Sequence, residues 1–133
     1  MAEASRDTVQ LISGLIAHMR QIVGDGACYA MLHYGAMEEG KRFGAGTGPA
    51  DLPKVLGRFD ELLLQRTEIL KDEGGAVTLR IHSSALLDQN LRAMQGVVLG
   101  LVEGALTASR SGRYKGSMVA GEGELLLELK RDG

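Results

Sequence analysis

The sequence predicts a single α+β domain over residues 1–133, with a helical layer packed on a four-stranded antiparallel sheet. Apolar residues recur at three- and four-residue spacing in four segments and at two-residue spacing in four others. These segments follow one another in the order ααα-ββ-α-ββ, and 133 residues suit one domain. Because two-residue alternation gives each strand one apolar and one polar face, we expect an antiparallel sheet whose apolar face lies on the helices.

The first helix is predicted over Asp7–Val23, with a capping box that begins at Asp7 and a stop at residues 24–26. Its apolar residues are spaced as in a helix with one buried stripe. We therefore expect burial of the residues of this stripe, which are Ile12, Leu15, Ile16, Met19, Ile22 and Val23.

Two further helices follow. The second is expected from about Cys28 to Phe43, and a loop at residues 44–49 ends it because glycine and proline interrupt regular structure. This loop matches no nucleotide-binding fingerprint. The third helix is expected to be capped by Asp51, and it tolerates Pro53 because proline fits the first turn of a helix.

Two hairpins are predicted, one on each side of a long helix. The first turns at residues 71–75, with Thr67 and Ile69 before the turn and alternating apolar residues after it. The second joins Tyr114–Val119 to a strand in which Leu125, Leu127 and Leu129 point inward. The helix between them, from about Ser84 to Ser109, is the most apolar segment, so we expect it to be central.

Glycine recurs every four residues in this long helix, at Gly96, Gly100 and Gly104. Each costs about 1 kcal/mol relative to alanine, so some contact must offset the loss. One explanation is close contact with the second helix, where Gly40 and Gly44 supply the opposing face. The other is a slot for a slender apolar ligand. The candidate ligand-binding residues are Met31, Tyr34, Met37, Met94, Val98, Gly100 and Leu101.

The sequence carries no recognisable catalytic or metal-binding pattern. His18, His33 and His82 fall on separate elements, and a metal site needs three or four convergent donors. Cys28 is the single cysteine, which suits a reducing compartment and excludes an intrachain disulfide. We therefore predict a non-enzymatic cytoplasmic protein without metal or cofactor.

Charge and hydropathy exclude two further classes of partner. The net charge of −2, with both signs interspersed, does not favour nucleic acid. The longest apolar run, residues 97–108, contains Glu103 and is shorter than the roughly 20 residues of a membrane span.

The C-terminal half contains the sequence Gly96–Leu106 followed by a closing hairpin that ends at Leu127–Arg131, and Tyr34–Arg42 forms a glycine-containing second helix. In the order of its elements the chain resembles the TRAPP transport-particle subunits and the 4-vinyl-reductase-type, or hydrocarbon-binding, domains. This resemblance implies dimerisation through the helical face and, as in several members, an apolar tunnel. Residues 48–50 stand where some transport-particle subunits carry an acylated cysteine, so the resemblance does not extend to covalent acylation. Residues 118–127 lack the cysteines of many vinyl-reductase-type members, so it does not extend to metal binding at that place.

Three functions remain open at this stage. The first is a sensory or regulatory module that binds a small apolar ligand, such as a hydrocarbon or an acyl chain, between helices. The second is a protein–protein assembly module of the transport-particle type with no ligand. The third is an enzyme that acts on an apolar substrate. A homodimer through the helical face is expected.

Overall fold

The computed structural model describes residues 2–46, 51–63, 65–82, 91–110, 112–121 and 124–132. Within these ranges, four helices and one four-stranded sheet follow the predicted order, which confirms the α+β fold class. The helices are α1 (Ala2–Val23), α2 (Asp25–Ala45), α3 (Leu52–Leu63) and α4 (Leu91–Ser109). The strands are β1 (Arg66–Glu73), β2 (Ala76–His82), β3 (Arg113–Gly121) and β4 (Glu124–Asp132).

The helix α1 begins earlier than the sequence predicts. Asp7 lies inside the helix, which starts at Ala2, so the predicted capping box at Asp7 is wrong. No helix breaker stands among residues 2–6, and the helix therefore continues past Asp7. At the other end Gly24 has a φ of 84°, a conformation that glycine adopts without steric cost, and α2 starts at the next residue.

The four strands form one antiparallel sheet in the order β1-β2-β4-β3. The two central strands place alternate residues on the face that the helices cover, and their other residues are more exposed. This covered face is the centre of the core. The six central-strand residues on it are each at most 1% exposed, and they are Val77, Leu79, Ile81, Leu125, Leu127 and Leu129.

The helix α4 is central, as predicted. Its residues from Val98 to Leu106 are all buried, because α2 packs along one side of the helix and the sheet, mainly through β3, covers another. The predicted start of this helix at Ser84 lies outside the described residues. A helix covered on several sides explains why this segment is the most apolar of the chain.

Candidate functional site

The α2–α4 interface is a close contact between the backbones of two helices. A Cβ atom added at Gly100 would lie 2.5 Å from the carbonyl oxygen of His33, and one at Gly104 would overlap the carbonyl oxygen of Met37. The reverse holds at Gly40, where a Cβ atom would overlap the carbonyl of Leu101. Only glycine lets the two helices approach this closely. The structure therefore confirms the helix-contact explanation of the glycine repeat, and at these positions the backbone fills the space that a ligand slot would need.

The candidate ligand-binding residues that the structure describes differ widely in their exposure. Met31 and Tyr34 are 54% and 61% exposed on α2, whereas Val98 and Leu101 are buried on α4. The backbone of Met37 lies against Gly100, and Gly100 itself is buried. The side chain of Met94 is not among those that the structure describes.

A buried carboxylate joins three elements of the fold. Glu103, on the buried helix α4, is 4% exposed. One of its oxygens, Oε1, lies 2.5 Å from Nε2 of His33 on α2, and the other, Oε2, accepts the backbone N–H of Gly116 on β3 at 2.8 Å. The ring of Tyr29 stacks on the His33 imidazole with centroids 5.9 Å apart. Because an unpaired buried charge is strongly unfavourable, these partners are what make Glu103 tolerable in the core.

The same side of α4 covers part of a sheet edge. Thr107, one turn after Glu103, accepts the backbone N–H of Tyr114 through its hydroxyl oxygen at 3.0 Å. Four helical residues rise about 6 Å and two strand residues about 6.6 Å, so Glu103 and Thr107 match the spacing of Gly116 and Tyr114. Side chains of α4 thus take the place of a neighbouring strand along the first half of the edge strand β3.

A polar cleft of about 400 Å³ lies where the β1–β2 turn meets the end of α4. Arg110 donates to both carboxylate oxygens of Asp72, at 2.6 and 2.8 Å. This hydrogen bond lowers the pKa of the Asp72 carboxyl, although partial burial opposes the effect. The charges of Asp72 and Arg110 therefore satisfy each other. A smaller cleft of about 200 Å³ lies beside Arg42, Phe43 and Arg58. Neither cleft is lined by a candidate ligand-binding residue.

The histidines and the cysteine lie apart. His33 contacts Glu103, His82 on β2 contacts Glu68 at 2.6 Å, and His18 lies on the exposed side of α1. Cys28 is fully buried, and its burial raises the pKa of the thiol. In the described part of the chain no three histidine, cysteine or acidic residues come together as ligands for a metal ion. Over the same ranges no helix has the length and apolar character to cross a membrane.

The stripe of α1 that the sequence predicts to be buried is largely exposed. Ile16 is 2% exposed, but Leu15 and Ile22, from the same predicted stripe, are 58% and 82% exposed. Leu11, which the prediction omitted, is 63% exposed. The periodicity identified an apolar face, but the expectation that this face is buried is wrong for Leu15 and Ile22. Within the chain α1 packs through a narrow strip near Ser13 and Ile16.

The contacts of Glu103 were not predicted, because a single glutamate in an apolar segment indicated only that residues 97–108 do not span a membrane. Comparison of the chain with protein-family models and with curated protein sequences finds no match.

Proposed function

We propose that this protein is an assembly module that forms a homodimer by pairing α1 with α1 of a second copy. The exposed apolar side of α1 carries the proposal. Four of its residues, Leu11, Leu15, His18 and Ile22, follow one another at spacings of four, three and four, and we call them the α1 seam. This spacing is typical of helices that pair lengthwise. All four are exposed in the single chain.

The charge distribution of α1 supports the same function. Residues 8–19 contain no Asp, Glu, Lys or Arg, although 24% of the whole chain is charged and about three such residues would be expected. Of these twelve positions, only Ser13 and Ile16 are described as buried. A solvated helix of a soluble protein normally carries charges on its outer side, whereas the centre of a protein–protein interface is depleted of them.

Glycine on α1 fits this explanation. Gly14 lies within α1, beside the α1 seam, and a Cβ atom added there would meet no atom within 4 Å. Gly35 on α2 and Gly57 on α3 are equally open in the described part of the chain, so Gly14 does not by itself require a partner. Its small size leaves room for a second helix to approach the α1 seam closely.

The exposed apolar side chains of α1 make a small interface. Leu11, Leu15 and Ile22 of the α1 seam are 63%, 58% and 82% exposed, and Ile12 and Val23 on the flank of the helix are 36% and 40% exposed. An interface made by one helix from each of two copies lies near the lower limit of about 1,000 Å² for a specific complex, so we expect a concentration-dependent dimer.

An antiparallel arrangement matches the α1 seam to itself. With the two-fold axis between Leu15 and His18, Leu11 of one copy lies opposite Ile22 of the other, and Leu15 lies opposite His18. All four positions are then covered, as a self-complementary interface requires. The resemblance to transport-particle subunits, which pair through their helical layer, points to the same side of the fold.

The ligand-binding function has less support. It placed an apolar molecule between α2 and α4, where the carbonyls of His33 and Met37 lie against Gly100 and Gly104. It stays a prediction, and the assembly function is the one that the geometry of the described residues favours.

Sedimentation equilibrium on the wild type, Leu11→Glu and Leu62→Glu tests the proposal. Leu62 is a matched control because it is a leucine on another helix, α3, with 50% exposure, against 63% for Leu11. We expect the wild type and Leu62→Glu to reach twice the monomer mass of 14.2 kDa. Leu11→Glu should dissociate at least about 100-fold more readily, because it places a carboxylate against the apolar Ile22 of the other copy twice per dimer. A Leu11→Glu variant that associates as strongly as the wild type would refute pairing through α1.

A further inference from the structure

The α1 seam contains one titratable side chain. His18 stands between Leu15 and Ile22, and the residues three and four positions from it on either side, Gly14 and Gln21 among them, carry no charge. The other two histidines each contact a carboxylate, His33 at Glu103 and His82 at Glu68. Across the described ranges, His18 has no such partner.

We propose that protonation of His18 dissociates the homodimer, so that pH controls the assembly state. This inference rests on the proposed function, because His18 is exposed in the single chain and is covered only when a second α1 packs on it. In the antiparallel arrangement its ring lies against Leu15 of the other copy. An imidazolium ion without a counter-charge is unfavourable there, whereas the neutral ring is tolerated.

The charged groups nearest to His18 do not compensate an imidazolium. Arg20 lies on the opposite side of α1 and pairs with Asp25 of α2 at 2.8 Å. Asp7 is three turns away along α1, and in the antiparallel arrangement Asp7 of the second copy lies beyond Ile22, more than a turn from His18. Since Asp25 is paired with Arg20 and Asp7 of either copy lies more than a turn of α1 away, protonation leaves a charge in the interface that neither of these carboxylates compensates.

The sign and size of the effect follow from linkage. The imidazole of a histidine in water has a pKa near 6.5, and the proposed dimer covers two such rings. Association is therefore strongest well above that pH and is weakened as the pH falls through it, with up to two protons taken up per dimer that dissociates. Between pH 7.5 and 5.5 the dissociation constant is expected to rise by about 100-fold.

Sedimentation velocity over a concentration series at pH 7.5, 6.5 and 5.5, at constant ionic strength, tests the inference. The variant His18→Leu keeps the seam apolar and removes the titration. The variant His82→Gln removes a histidine on the outer face of the sheet and serves as control. Circular dichroism at each pH establishes that the dissociated chain stays folded.

We expect an increase of about 100-fold in the dissociation constant for the wild type and for His82→Gln, and a nearly constant value for His18→Leu. A wild-type dimer that is indifferent to pH, or a His18→Leu dimer that keeps the pH dependence, would overturn the inference and leave the proposed function intact. A wild type that is monomeric at pH 7.5 up to about millimolar concentration would remove both the proposed function and this inference, because both require a dimer at that pH.

Discussion

Adding a single methyl group at Gly100 should separate α2 from α4. A Cβ atom there would lie 2.5 Å from the carbonyl oxygen of His33 and 2.9 Å from the backbone nitrogen of Met37, whereas ordinary contacts begin near 3.4 Å. The obstructing atoms belong to the backbone of α2, so no rotation of a side chain relieves the overlap. The helix must move by about 1 Å, and a packed interior resists such movement.

The magnitude follows from two opposing terms. Alanine is a better helix former than glycine by about 0.5–1 kcal/mol, which favours the variant. Overpacking costs about 1–3 kcal/mol, and a backbone obstruction places Gly100→Ala at the upper end of that range. We expect a net loss of about 2 kcal/mol in the free energy of unfolding. For a chain of this length, that lowers the melting temperature by roughly 6–10 °C.

Gly35→Ala is the matched control. Gly35 lies on α2, and a Cβ atom added there meets no atom within 4 Å. Only the helix-propensity term then remains, and stability should rise by about 0.5–1 kcal/mol. Urea unfolding followed by circular dichroism measures both variants. If Gly100→Ala is as stable as the wild type, or if the two variants shift in the same direction, the backbone contact at Gly100 is not what the structure describes.

Two further predictions concern buried and paired charges. Glu103→Ala should lower the free energy of unfolding by about 2–4 kcal/mol, because His33 and the N–H of Gly116 lose their acceptor, whereas the exposed Glu38→Ala should stay within about 0.5 kcal/mol in the same urea titration. A loss below about 1 kcal/mol for Glu103→Ala would contradict this role. Arg110 lowers the pKa of Asp72, so its stabilising effect is present above the ordinary value near 4 and is lost as the pH falls through the lower folded-state value. Asp72→Asn should therefore be less stable than the wild type at pH 7 and equal to it near pH 2, and a difference that does not change with pH would argue against the pair.

The extent to which the sequence determines these features differs from element to element. The alternation of Leu125, Leu127 and Leu129 identified a strand because a two-residue period has no other common cause. The bounds of α1 were less certain, since nothing in residues 2–6 favours one starting point. The glycine repeat of α4 was ambiguous, because a sequence shows where side chains are absent but not what occupies the space.

The contacts of Glu103 could not be predicted for another reason. Its side-chain partner, His33, lies 70 residues away, and its second partner is a backbone N–H, a group that every residue except proline carries. The apolar stripe predicted for α1 shares Leu15 and Ile22 with the α1 seam but was expected to be buried, because periodicity reports the apolar face of a helix and not the neighbour that covers it.

The contact between α2 and α4 also has a consequence for how the chain folds. Gly40 meets Leu101, and between them lie α3 and the whole β1–β2 hairpin. This close backbone approach therefore closes a loop of about sixty residues, and the entropy of closing that loop must be overcome before the two helices stabilise each other. Neither the segment before this loop nor the segment after it contains both halves of the interface. We therefore expect the contact between α2 and α4 to form only once these two distant segments have come together.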